Sequence, residues 1–288
     1  MVGSMHQFIL SCCILWAGWH LNCHPASPVI GEEIEYQTDK PDAIIRLPGD
    51  LDEISGLSWY RDTLWAIQDE DGILFKLALD GRKLSVTSLH FGPHDDYEAL
   101  EWMGNRCYVI TSEGKLWEID PGRNTSKRLP SFWGKKHNIE GLTITEDGRG
   151  LWVAAKEDHH DDDKSILGVY PDQLPEHSDL RLTVRNAEIL DFINRENQTG
   201  IQAPDHIRFN TSAIARYPKN GDLYILSSPE PQLLVMDKNG RIKSWVRLPA
   251  LLYKQPESIC FGPDGTMYIA NEGKHGSATL MVFYRKNP

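Results

Sequence analysis

Cysteine is scarce in this chain once its first 25 residues are passed. Five are present, but Cys12, Cys13 and Cys23 fall in the first 25, leaving Cys107 and Cys260. Two cysteines make no disulfide framework, and neither stands beside a histidine, so a disulfide-stapled fold and thiol catalysis are both excluded. A membrane-spanning run is also lacking. The apolar stretch Phe8 to Trp19 holds twelve residues, short of the roughly 20 that a spanning helix needs. There is no Gly-x-Ser-x-Gly elbow, P-loop or dinucleotide fingerprint. Positive charge is in deficit: 30 Lys and Arg stand against 41 Asp and Glu, a net charge of −11. That balance argues against a nucleic-acid partner and favours cations or neutral ligands. No low-complexity tract interrupts the chain, so one large domain is expected.

The first apolar stretch has the length of a signal-peptide core, although no Lys or Arg precedes it. Cys23 follows it closely, as in a lipoprotein signal, with Leu21 two residues ahead rather than three. Residues 1–25 therefore read as a signal peptide or lipoprotein leader with Cys23 as the lipidation site, 26–42 as a linker, and 43–288 as the folded domain. A short signal-anchor helix is the alternative.

What the chain has in abundance is one phrase, written five times. A small motif ends in an aliphatic residue, and a few residues later an aromatic-aliphatic strand follows. The motifs are Ser55-Gly56-Leu57, Glu98-Ala99-Leu100, Glu140-Gly141-Leu142, Ser212-Ala213-Ile214 and Glu257-Ser258-Ile259. Their strands are Leu64–Ile67, Tyr108–Ile110, Leu151–Ala154, Leu223–Leu226 and Met267–Ala270. The steps between motifs are 43, 42, 72 and 45 residues. A period in the low forties fits one four-stranded propeller blade, and blades must stack around an axis to bury their faces. Third and fourth strands follow, closed by turn signals such as Asp80-Gly81 and Asn239-Gly240.

The fifth copy ends before its fourth strand. Ala43 to Leu47 precedes the first copy, and its Arg46-Leu47-Pro48 matches Arg128-Leu129-Pro130 and Arg247-Leu248-Pro249. The N-terminal strand is thus expected to complete the last blade and close the ring. The expected fold is an all-β propeller of antiparallel blades, five being favoured. The 72-residue step leaves a degenerate sixth blade as the alternative to loops between Pro171 and Asn210.

Once aligned, Glu53-Ile54-Ser55-Gly56-Leu57, Ile139-Glu140-Gly141-Leu142, the strand ending in Lys156-Glu157, and Tyr268-Ile269-Ala270-Asn271-Glu272 resemble the SdiA-regulated family of bacterial β-propellers. The resemblance runs over residues 43 to 284. It implies an exported or envelope-associated propeller, and implies no particular activity. The fourth copy departs, with Asn210 to Ile214 and Ser228-Pro229 where acidic residues are expected.

Two sets of glutamates repeat. Glu98, Glu140 and Glu257 open their motifs, and Glu70, Glu113, Glu157 and Glu272 follow the second strands. The start of a first strand and the end of a second lie at the same end of a hairpin, so both sets are expected at one rim. Carboxylates converging on an axis demand a cation or protonation. Calcium, a hard cation served by oxygen, is the natural metal, with Glu98, Glu140, Glu157, Glu257 and Glu272 as ligands. Glu70, Glu113 and Lys156 are the further ligand-binding candidates. Lys156 could neutralise the ring in place of a metal, and the glutamates could instead cap backbone amides as a structural repeat. Asp158 to Asp163, with His159 and His160, reads as a solvated loop. His94-Asp95-Asp96 and His137 precede motifs and could face the same rim. Trp102 and Trp133 are read as lying off the strands, with packing between blades favoured over a role as rim platforms for a sugar or peptide.

The expected function is a membrane-tethered, monomeric binding propeller of the cell envelope, its partner a small molecule, a glycan or an envelope protein. The alternative is a calcium-dependent phosphoester or lactone hydrolase.

Overall fold

Leu151–Ala155, Leu223–Ser227 and Met267–Asn271 are continuous runs with no polar alternation, and every residue in them is buried. Such runs belong to strands covered on both faces. The computed structural model describes residues 28–81, 83–130, 138–156, 163–175, 181–198, 200, 202–228, 230–273 and 276–286. In chain order, β1 (Val29–Gly31) and β2 (Ala43–Arg46) precede the first phrase. Blade one is β3 (Ile54–Tyr60), β4 (Thr63–Gln68), β5 (Ile73–Asp80) and β6 (Lys83–His90). Blade two is β7 (Tyr97–Met103), β8 (Arg106–Thr111), β9 (Leu116–Asp120) and β10 (Thr125–Arg128). Blade three is β11 (Ile139–Ile144), β12 (Leu151–Ala155), β13 (Asp163–Val169) and β14 (Arg181–Arg185), followed by helix α1 (Asn186–Glu196). Blade four is β15 (Thr211–Arg216), β16 (Leu223–Ser227), β17 (Gln232–Met236) and β18 (Ile242–Arg247). Blade five opens with β19 (Pro256–Phe261), β20 (Met267–Asn271) and β21 (Thr279–Phe283).

The five sheets make a five-bladed β-propeller, with β3, β7, β11, β15 and β19 packed side by side in a closed ring. Burial falls from the axis outward: β10 is exposed throughout, and β6 alternates between half-buried and exposed. The fourth strand of blade five is β2, which pairs with β21 from Ala43↔Val282 to Arg46↔Thr279. This is the expected clasp. Ile45 and Leu47 are 5% and 3% exposed beneath it.

Two features differ from the sequence reading. Residues 29–42 pack on the propeller rather than linking to it. β1 pairs with β18 as a fifth strand of blade four, and the Tyr36 hydroxyl donates to Gly265 O at 2.6 Å. The long step between blades three and four holds a helix as well as loops. Ile189, Phe192 and Ile193 fall at helical spacing on one face of α1 and are buried among Ile30, Val184 and Trp245. Among the described residues no helix is long and apolar enough to cross a membrane.

Candidate functional site

The pairing of first and second strands slips by one residue at the same place in every blade. The slips fall between Ile54 and Gly56, Tyr97 and Ala99, Ile139 and Gly141, Thr211 and Ala213, and Pro256 and Ser258. The residues left out of the ladder are Ser55, Glu98, Glu140, Ser212 and Glu257, the first residue of each phrase. A β-bulge re-aims the side chain of its unpaired residue. The repeat therefore encodes a ring of five bulges at one end of the axis.

The remaining two phrase residues close the channel. A Cβ on Gly141 would lie 2.7 Å from Ile214 Cγ2, and one on Gly56 2.8 Å from Leu100 Cδ2, so adjacent first strands admit only small residues there. Leu57, Leu100, Leu142, Ile214 and Ile259 are each buried against the axis. They leave a void of about 10 Å³, lined also by Ser55, Glu140 and Glu257. That is room for a single water at most. The site is consequently a one-ended mouth above a plug.

Blades two, three and five supply its carboxylates. Glu140 is 6% exposed, while Glu98 and Glu257 are half-buried. Lys156, from the end of β12, donates to Glu140 Oε1 at 2.9 Å, and Asn138 Nδ2 donates to the same oxygen at 3.1 Å. The Lys156 amide donates to Asn138 O at 2.8 Å, which fixes the strand end that carries the ammonium. Burial lowers the affinity of Lys156 for its proton, but Glu140, Glu257 and Glu98 outweigh this and hold the ammonium charged. Burial raises all three carboxyls, and each is raised further by its acidic neighbours. Glu98 is held far above the usual carboxylate range, with Glu140, Asp96 and Glu257 as its like charges. Glu140 is raised less, because Lys156 and Asn138 favour its ionised form. Glu257 is pushed up to about 8 by burial first and Glu140 next, while Lys156 and a bond from Ser228 oppose the rise. Among the described residues the mouth thus holds carboxyls biased toward their protonated forms beside the Lys156–Glu140 ion pair.

The other sequence candidates lie around this centre or beyond it. Glu70 is at the outer rim with His94 Nε2 at 3.9 Å. Glu113 is 3.2 Å from Lys115, which also holds Asp95 at 2.9 Å. Glu272 accepts from the Gln255 amide and adds its charge to those felt by Glu257. Glu157, Cys23, His137, His159, His160 and Trp133 fall outside the described residues. Among the described residues, no group of three or more His, Cys, Asp and Glu side chains is arranged to hold a metal ion. Trp102 lies within β7, not off the strands as expected. Its strand runs three residues past Leu100, to Met103.

Two acids escaped the sequence reading. Asp69, passed over for Glu70, has a buried Oδ1 without a partner among the described residues, and is pushed up to about 6 by burial and then by Glu53. Glu101 sits farther down the axis, accepting from Ser58 Oγ at 2.6 Å, the Trp102 amide at 2.7 Å and Thr143 Oγ1 at 3.1 Å. It joins blades one, two and three, and burial raises its carboxyl despite these bonds. A charged residue inside the apolar strand Tyr97–Met103 was the signal for it.

Fold and site together define a five-bladed propeller with a plugged axis and an acidic mouth. The SdiA-regulated family model matches residues 36–120, in agreement with the resemblance carried by the phrases. No curated protein sequence matches the chain. Among solved structures, glutaminyl cyclase from Myxococcus xanthus shares the fold. It is 14% identical with a TM-score of 0.57, over 86% of this chain and 97% of that one. A Bacteroides thetaiotaomicron protein of unknown function is 10% identical with a TM-score of 0.50, over 90% and 76% of the two chains.

Proposed function

We propose that this protein is an exported, envelope-tethered binding propeller whose mouth takes a positively charged ligand in exchange for protons. One observation carries the reading: Glu98 and Glu257, both biased toward their protonated forms by burial, gather above a plugged axis beside the Lys156–Glu140 ion pair. A cation entering this mouth favours the ionised carboxylates, so binding must release protons. The ligand is an organic ammonium or calcium. Among the described residues these carboxylates are not arranged to hold a metal as they stand, so calcium would have to displace Lys156 from Glu140 and draw Glu98, Glu257 and Glu272 toward it. A plug this tight favours binding on the mouth over passage through the channel. The leader or a lipid on Cys23 would supply the tether, and the domain would act as a monomer.

The test is calorimetry of the purified protein with calcium and with cadaverine, in buffers of differing ionisation enthalpy, at pH 6 and pH 9. Tighter binding at pH 9, more protons released per ligand at pH 6 than at pH 9, and both effects reduced in Glu257→Gln, are the expected results. Neither ligand binding at pH 9 would sink the reading.

A second reading is an acid–base hydrolase. Its support is the protonated Glu98 beside the ion-paired Glu140, an acid and a base with separated proton affinities. The Myxococcus xanthus neighbour is an enzyme on the same fold, which is analogy at fold level only. Turnover of a phosphoester or lactone that survives Glu98→Gln unchanged would count against it.

A further inference from the structure

The axis is not the only cavity with chemistry in it. The β3–β4 and β7–β8 hairpin turns lie at the far end of the first strands from the bulges, on the opposite face of the ring. Between blades one and two on that face is a cavity of about 320 Å³. This is within the usual range for small-ligand sites. Its floor is aromatic. Tyr60 stacks on Trp102 with ring centres 3.8 Å apart and planes 5° from parallel, and Trp65 leans on Trp102 at 5.1 Å. Trp102 is 7% exposed, and its buried indole N–H has no acceptor among the described residues.

The charges around this floor are unbalanced. Arg61 lies over Tyr60 at 5.0 Å and Lys76 over Trp65 at 5.8 Å. Neither has an ion-pair partner among the described residues. The acid in the wall, Asp120, already accepts from Arg106 and lies 3.7 Å from Arg123, so its charge is neutralised. Arg61 is also held with φ at 47°, in the left-handed region that residues other than glycine rarely adopt. Two unpaired cations in one cavity stand out on a chain whose net charge is −11.

We infer that this cavity is a second binding site, for an acidic sugar of the hexuronate type. The C–H face of the ring packs on Trp65, as sugars and other apolar faces do on indoles. The carboxylate meets Arg61 and Lys76 as charge-assisted hydrogen bonds. The hydroxyls reach Asn105 and Thr63, which line the cavity. A plain aromatic acid would leave those polar groups without partners, and a neutral sugar would leave the two cations unpaired. This site is independent of the acidic mouth.

The test titrates the full chain with galacturonate, digalacturonate, glucose and benzoate, following tryptophan fluorescence and calorimetry. The uronates are expected to saturate the signal at or below about 1 mM, with glucose and benzoate at least tenfold weaker. Lys76→Gln and Arg61→Asn, the latter chosen because asparagine tolerates a positive φ, should each weaken uronate binding several-fold, and together at least tenfold. Both side chains are exposed, so melting temperature should be unchanged. Raised salt should weaken the uronates and leave glucose unaffected. Equal binding of glucose and uronate, equal binding of benzoate, no binding of any of them, or full binding by the double variant would each overturn the assignment.

Discussion

At Gly141 the phrase has no room for a side chain, because the first strand of blade four passes within contact distance of where one would start. Gly141→Val forces the two innermost strands apart and is expected to destabilise the fold by about 1–3 kcal/mol, measurable by urea unfolding. The same crowding accounts for alanine or serine at the equivalent Ala99, Ala213 and Ser258. Lys156 has the opposite role, tying down a carboxylate that the crowding buries. Lys156→Met removes the ammonium from Glu140, which is then free to take up a proton. Its cost should be small at pH 5 and larger at pH 8, on the order of 1–3 kcal/mol, so the gap in melting temperature from the parent protein should widen with pH. A gap independent of pH would mean that Lys156 acts only by packing. The gathering of Glu98, Glu140 and Glu257 at one rim was legible because each opens its phrase, and Lys156 because it follows a second strand. Asp69 and Glu101 were not, since burial rather than repetition distinguishes them.

Among the elements, the propeller strands could be read from the sequence because period-two or wholly apolar runs between turn residues leave little choice. The bulges could not be read. Nothing in Glu98-Ala99-Leu100 says that the glutamate is skipped by the ladder, yet the skip is what brings three acids to one mouth. Helix α1 was missed for a different reason. With eleven residues and three buried apolar ones, it exists through packing against β1, β14 and β18 more than through its own propensity. The clasp was legible from the recurring Arg-Leu-Pro. Ile45→Ala, which hollows the clasp from beneath, should cost about 2–5 kcal/mol by equilibrium unfolding. Ile44→Ala on the same strand should cost little, since that side chain is 51% exposed.

For the molecule as a whole, the buried acids set the pH range of stability. Glu257, raised from 4.5 to about 8, and Asp69, raised from 3.8 to about 6, bind protons more tightly when folded. Their stabilising contribution is complete below the unfolded values and is lost as pH rises through the folded ones. Glu35, lowered by Arg285 and then Tyr217, works in the other direction: its contribution is present above its unfolded value and is lost in acid. The melting temperature should therefore peak in mild acid, at about pH 5, and fall toward pH 8. Glu257→Gln should flatten that fall, and a scan in which the variant and the parent decline alike would refute the assignment.

The clasp also governs how the chain can fold. Ala43 finds its partner at Val282, so the last blade joins the two ends of the domain and no earlier stretch of chain can substitute. Contacts so distant in sequence form late and slowly. Until β21 exists, β2 has no neighbour, Ile45 and Leu47 lack their cover, and the ring stands open at two strand edges. Closing of the ring must then wait until β21 has been made and is free to pair. A chain ending at Gly273, which retains the whole acidic mouth in sequence, should aggregate instead of yielding a smaller propeller.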